Sequence, residues 1–345
     1  MVLAGKDGGI HAVEAVEISR IAIRDASKYV DPKHWGEPDE VEPDIIIKNI
    51  SEHLAPLVNA LNPLVDKGVL KPGDHICYSG DDHFSNIPLQ YLLFNGKPMI
   101  HCFTLSRIQN ASHLVEVLSR PARKAPRQFV SFIAPLKQDT TKENWDEINQ
   151  NFHKPTECLK QLLNTNDPVY KNQSATISQL CREDLCDKII QFSTHGIFPL
   201  QTEIGNPFEQ SGLVLAHNGE LPDSDAVGSG NLEGVLTPRT ILDLNLDFNE
   251  SHLSLTACVS GLSKEGIGGD ALGIEWALIQ KGAGSILSSH WFVSAESAAR
   301  FFECYYTHWI KEKKSRAKAY SAAIKTLNEE QSPDWAAFSL TGDWR

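Results

Sequence analysis

No apolar run in this 345-residue chain reaches the roughly 18 residues that a membrane-spanning helix needs, and no basic stretch leading into an apolar core opens it. The sequence therefore predicts a cytoplasmic protein with no membrane partner. Positive charge is also short: 32 Lys and Arg face 44 Asp and Glu, and the net charge of −12 has the wrong sign for tracking phosphates. Direct binding of nucleic acid is not expected. The seven cysteines are odd in number and scattered, which fits free thiols in a reducing compartment rather than a disulfide framework. Cys181 and Cys186 have no second close pair to complete a four-ligand site, so no structural zinc is expected, and nothing else implies a metal or cofactor. Internal repeats are absent from the sequence as well.

What the chain does have is alternation. Short β-rich runs at His75 to Ser79, Met99 to Leu105, Gln128 to Ala134, Lys188 to Thr194, Leu213 to Ala216, His252 to Ala257 and Gly284 to Ser289 are separated by helical patterns. That order predicts an α/β fold with parallel strands covered by helices. Thr176 to Gln179 has capping-box spacing, and Thr237 offers a cap before Pro238. Further helices are expected from Gly273 to Gln280, Ser294 to Glu312 and Ala317 to Asn328. Residues 1–70 read as a helical appendage: Ile10 to Lys28 is amphipathic, Asp31 to Asp44 is acidic and broken by proline, and Ile45 to Val65 is helical again. The expected organisation is this appendage, which covers the domain or docks an activating partner, followed by one α/β domain at 71–345.

Two of the strands end on reactive residues. The run from Lys188 to Thr194 leads into His195-Gly196, and the run from His252 to Ala257 leads into Cys258. Neighbouring parallel strands deliver their carboxyl ends to one rim of a sheet, so residues 63 apart in sequence can meet there as base and nucleophile. Gly196 and Gly261 let the backbone turn sharply at both tips and leave N–H groups free beside the nucleophile. The other cysteines, Cys77, Cys102, Cys158, Cys181, Cys186 and Cys304, are expected to be packing residues.

Phe192-Ser193-Thr194-His195-Gly196 and Leu255-Thr256-Ala257-Cys258-Val259-Ser260-Gly261 resemble the two catalytic motifs of CHAT-domain proteases, relatives of caspases, separases, metacaspases and gingipains. The resemblance continues through Gly269 to Gly273, Ala277 to Ile286, Ser288-Ser289-His290-Trp291 and the closing Asp334 to Asp343. Upstream, His75 to Asp81 followed by Ile87-Pro88-Leu89 is similar to the family's first strand and the turn after it, so the resemblance spans about residues 70 to 345. It implies a caspase-like, mostly parallel central sheet with helices on both faces. It also implies a cysteine endopeptidase that cuts a protein substrate through a thioester. His195 is then the base, Cys258 the nucleophile, and the N–H groups of Gly196 and Cys258 the oxyanion hole. In bacteria, proteins resembling this one act in antiviral defence, cutting a gasdermin-like or CRISPR-associated protein. No third catalytic residue is evident.

Specificity has several candidate sources. Metacaspase-like relatives that cut after basic residues carry an aspartate two positions before the nucleophile, where this chain has Thr256. Asp81 and Asp82, beyond the first strand, are candidate substrate-binding acids for a Lys or Arg side chain. His290, where the family more often has leucine, and Trp291 are candidates for an apolar pocket. The glycine-rich stretches His217 to Glu233 and Ser263 to Asp270 are candidate gating loops of a latent enzyme. An inactive caspase-like scaffold and a non-peptide acyl transferase remain open readings. Gly266 to Ala271 also matches a dinucleotide-binding fingerprint, although the segment after Leu255 is long for its tight turn and no acid follows near Ser289.

Overall fold

The computed structural model describes residues 2–4, 10–13, 16–30, 43–80, 84, 86–135, 145–197, 207–221, 233–257, 260, 263–265 and 271–345. Ten strands form one sheet. In chain order they are β1 His75–Tyr78, β2 Thr104–Arg107, β3 Phe129–Ala134, β4 Val169–Lys171, β5 Ile189–Ile197, β6 Gly212–Val214, β7 Val235–Leu236, β8 His252–Thr256, β9 Ser285–Ser289 and β10 Phe338–Gly342. Across the sheet the order is β1, β2, β10, β9, β8, β5. Beyond β5 the sheet forks. Parallel β3 pairs with Ile189–Thr194 and carries β4 at its edge, whereas antiparallel β6 pairs with His195–Ile197 and carries β7.

Parallel pairs predominate, as expected: β5 with β8, β8 with β9, β3 with both β5 and β4, and β1 with β2 with β10. Because β9 and β10 are antiparallel, β10, β2 and β1 all run opposite to β5 and β8. Helices cover both faces. They include α1 Arg20–Lys28, α2 Pro43–His53, α3 Trp145–Leu163, α4 Ile274–Gln280, α5 Ala295–Tyr306 and α6 Arg316–Glu329. The period-2 alternation of the strands divides the core between the faces. Ile190, Phe192, Leu253, Leu255 and Ile286 join Ala277 and Leu278 of α4 on one side. Ile189 and Leu287 join Leu159 of α3, Phe301 and Phe302 of α5, and Tyr320 of α6 on the other. Each such Ile, Leu or Phe side chain contributes about 1.5–3 kcal/mol when fully buried. Ala26 of α1 and Ile46, Ile47 and Ile50 of α2 extend the second cluster, so residues before 71 pack on the domain.

Several elements differ from the sequence reading. Met99 to Leu105 is not a strand throughout: Met99–Cys102 is one helical turn that buries Met99 and Ile100, and β2 starts only at Thr104. Ile10–Val13 is a strand paired with Val2–Ala4, and the helix begins at Arg20, where the Ser19 hydroxyl accepts from the Ala22 N–H. The helix expected to reach Glu312 changes to π geometry over Thr307–Lys311. Ser263–Glu265 and Ala271–Gly273 pair antiparallel, which is not the strand-to-helix step that dinucleotide binding requires. Of the acidic stretch, 31–42 lies outside the described residues. Among the described residues no helix is long and apolar enough to cross a membrane.

Candidate active site

His195 sits where β5 changes partners. The last β3 pair is Ala134 with Thr194 and the first β6 pair is Val214 with His195. The Thr194 hydroxyl spans the fork, donating to the Ala134 carbonyl at 3.0 Å and to the Val214 carbonyl. The expected turn at Gly196 is therefore replaced by continued strand, because Leu213 and Gly212 of β6 pair with Gly196 and Ile197. His195 is half-buried, and Phe152 of α3 lies with its ring centroid 5.2 Å from the imidazole, tilted by 41°.

Towards this end of β5 and along β8, alternate residues are polar: Gln191, Ser193 and His195 on β5, and His252, Ser254 and Thr256 on β8. These residues share a face, since the residues between them carry the opposite core. Gln191 donates from Nε2 to Thr256 Oγ1 at 2.7 Å and to Ser193 Oγ at 3.1 Å, and its Oε1 accepts from the Tyr306 hydroxyl of α5. This network joins α5, β5 and β8 just behind His195. The polar alternation is visible in the sequence, but its partners depend on register.

Cys258 lies outside the described residues, yet its neighbours are fixed. Ser193 is the register partner of Thr256, two residues before His195 and Cys258 respectively. The Ser289 hydroxyl donates to the Ala257 carbonyl at 2.9 Å, and the Ser289 N–H donates to Ser260 Oγ at 3.1 Å. Ser289 thus ties the end of β9 to both flanks of the Cys258-Val259 step. Neither Ser289 nor Gln191 was singled out from the sequence.

A cavity of about 280 Å³ opens at the carboxyl ends of β5, β8 and β9. Thr194, His195, Leu255, Thr256, Ala257 and Ser289 come from the strands, Asn151 and Phe152 from α3, Val293 to Ala295 and Ala298 from around the start of α5, and Phe338 from β10. His290 and Trp291 are not among its lining residues. Alternation after Ser289 turns His290 to the other face, where it is 1 % exposed, and Trp291 is closed into the core at 0 %. Both His290 ring nitrogens lack a partner, and burial with nearby Arg107 holds its pKa down at about 3. Asp81 and Asp82 lie outside the described residues. The strand before them, β1, stands at the far edge of the sheet and runs opposite to β5. Residues 222–232 and 266–270 of the two expected gating loops also lie outside the described residues.

Five of the other cysteines are poor nucleophiles. Burial pushes Cys77 and Cys158 up to about 11 and also raises Cys181, Cys186 and Cys304, so none of these five is a ready thiolate.

The sequence profile of the CHAT domain matches residues 48–343. No curated protein matches the chain by sequence. Among solved structures, the Arg-specific cysteine proteinase gingipain R superposes with a TM-score of 0.53 at 9% identity, over 93% of this chain and 74% of that one. The complex of RgpB pro- and mature domains from Porphyromonas gingivalis gives 0.54 at 9% identity, over 95% and 77%. The separase-securin complex of Saccharomyces cerevisiae gives 0.47 at 12% identity, over 95% of this chain and 22% of that one. For the first two of these structures, identities this low describe a shared fold.

Proposed function

From the premise that this chain belongs to the CHAT-domain family and is a caspase-like cysteine peptidase, we propose that it is an endopeptidase in which Cys258 attacks the scissile carbonyl and His195 is its base. One observation carries the assignment: β5 and β8 are parallel neighbours in register at Ser193 and Thr256, each two residues short of the reactive side chain. A cavity beside His195 supports it further.

The chemistry follows from what peptide cleavage requires. A thiol with an ordinary pKa of about 8.5 is only a few per cent thiolate at neutral pH, so an imidazole that takes its proton raises the active fraction. Attack on the carbonyl carbon forms the C–S bond and moves negative charge onto the oxygen. The N–H groups of Gly196 and Cys258 are the proposed donors there, each worth about 3–4 kcal/mol of barrier. His195 then passes its proton to the leaving amine, and water hydrolyses the thioester, returning the thiol. Substrates are proteins, the enzyme is held latent until a partner binds, and bacterial defence is the setting that the resemblance implies.

The test is to incubate wild type, Cys258→Ala and His195→Ala with candidate protein substrates and to map new termini by mass spectrometry. Both variants should lose cleavage by about a thousandfold or more. Undiminished cleavage by Cys258→Ala would overturn the assignment. Partner binding without any cleavage, and without labelling of Cys258 by an electrophilic peptide, would favour the inactive scaffold.

A further inference from the structure

The cavity beside His195 has a chemistry of its own. Its walls are Phe152, Val293, Ala295, Ala298 and Phe338, and among the described lining residues His195 is the only ionisable one. Most of the polar groups that reach it are engaged within the protein, whereas Asn151 Oδ1 is buried without a hydrogen-bond partner and offers only an uncharged acceptor. Thr256 accepts from Gln191, Ser289 donates to Ala257, and Thr194 donates across the fork of the sheet. The Ser294 hydroxyl donates to Asp334 Oδ2 at 3.0 Å and accepts from the Ser297 N–H at 3.1 Å, so the start of α5 is already capped. A carboxylate, ammonium or guanidinium pushed into this space would lose its hydration and gain no counter-charge from these walls. The volume, about 280 Å³, falls just below the roughly 300–1,000 Å³ of small-molecule pockets, which suits one side chain.

We infer that this cavity receives the side chain of the substrate residue whose carbonyl is attacked, and that this residue is apolar and uncharged. The inference rests on the peptidase reading above. Position supports it: the cavity is bounded by His195 on one strand and by Ala257, the residue before Cys258, on the next. A carbonyl held between base and nucleophile therefore has its own side chain directed at the apolar walls. Selection against charge follows from burial and needs no dedicated repulsive group.

Peptide chloromethyl ketones that differ only in the residue bearing the ketone test this directly. The thiolate carbon–sulfur bond forms as chloride leaves, and intact-mass spectrometry follows labelling of Cys258. Leu, Phe and Met probes should label at least about tenfold faster than Lys, Arg, Asp or Glu probes. Ala298→Leu, which narrows the cavity, should shift the preference from Phe towards Ala. Thr256→Asp, which adds a charge at the wall, should raise the Lys and Arg rates and serves where Ala298→Leu does not fold. Faster labelling by charged probes, equal rates for all, or an apolar preference that neither variant changes would overturn the inference and leave the peptidase assignment standing. No labelling of Cys258 by any probe would overturn both.

Discussion

Ser289 holds the two flanks of the Cys258-Val259 step through one hydroxyl and one amide. Removing the hydroxyl in Ser289→Ala should cost about 0.5–1.5 kcal/mol of stability, a shift of a few degrees in Tm. We expect kcat to fall about tenfold because the segment that carries the proposed nucleophile loses one of its ties, whereas Ser289→Thr should restore much of it. Steady-state kinetics beside a melting curve check this, and parallel losses of activity and folded protein would assign Ser289 a purely structural role. His195 and Cys258 could be proposed from the sequence because each follows an apolar β-rich run and stands in a recognisable motif. Ser289 and Gln191 could not be, because a serine or glutamine in a strand acquires its meaning only when the partner strand and register are known. His290 is absent from the described cavity lining because one step past Ser289 exchanges one face of a sheet for the other, whereas Trp291 is fully buried in the core.

Element boundaries follow from pairing as much as from local residues. Gly196 suggested a tight turn, but β6 supplies an antiparallel partner and the strand continues to Ile197. β6 needs its own glycine to do this. A Cβ on Gly212 would lie 2.5 Å from the Leu236 carbonyl oxygen and 2.8 Å from Val235 Cγ1, both in β7. Gly212→Ala should therefore push β6 and β7 apart and loosen the segment holding His195–Ile197. Hydrogen exchange should rise at Ile197, and activity should fall severalfold, while protection in β9 and β10 stays unchanged. Wild-type exchange at Ile197 in the variant would contradict the role given to β6. The strands that bury a continuous apolar face were readable from composition. The helical turn at Met99 was not, because a four-residue apolar run fits either a strand or one turn of helix.

At the scale of the whole molecule, the sheet carries histidines that its core keeps neutral. Burial holds His75 and His290 down at about 3, and His252 also stands well below the ordinary value. The unfolded chain takes up these protons below about pH 6.5 and the folded one does not. Their contribution is therefore complete above pH 6.5 and is lost as pH falls below it, and for His75 and His290 the loss continues towards pH 3. Melting temperatures measured from pH 7 to pH 4 should fall steeply, and His290→Leu should flatten the slope and raise stability, since it removes a buried imidazole that has no hydrogen-bond partner. A melting temperature that holds level down to pH 5 would contradict this account. The α/β class and both helical faces were legible from alternation, whereas the reversal of β1, β2 and β10 was not, since strand direction leaves no mark on local composition. That reversal places β10 between β9 and β2, and Phe338 in the wall of the cavity. A nascent chain emerging from the ribosome cannot zip the halves of its sheet together, or finish the cleft in which it would cut, until residues 338–342 have been synthesised. Completion of the cavity thereby depends on the last strand of the sheet to be synthesised.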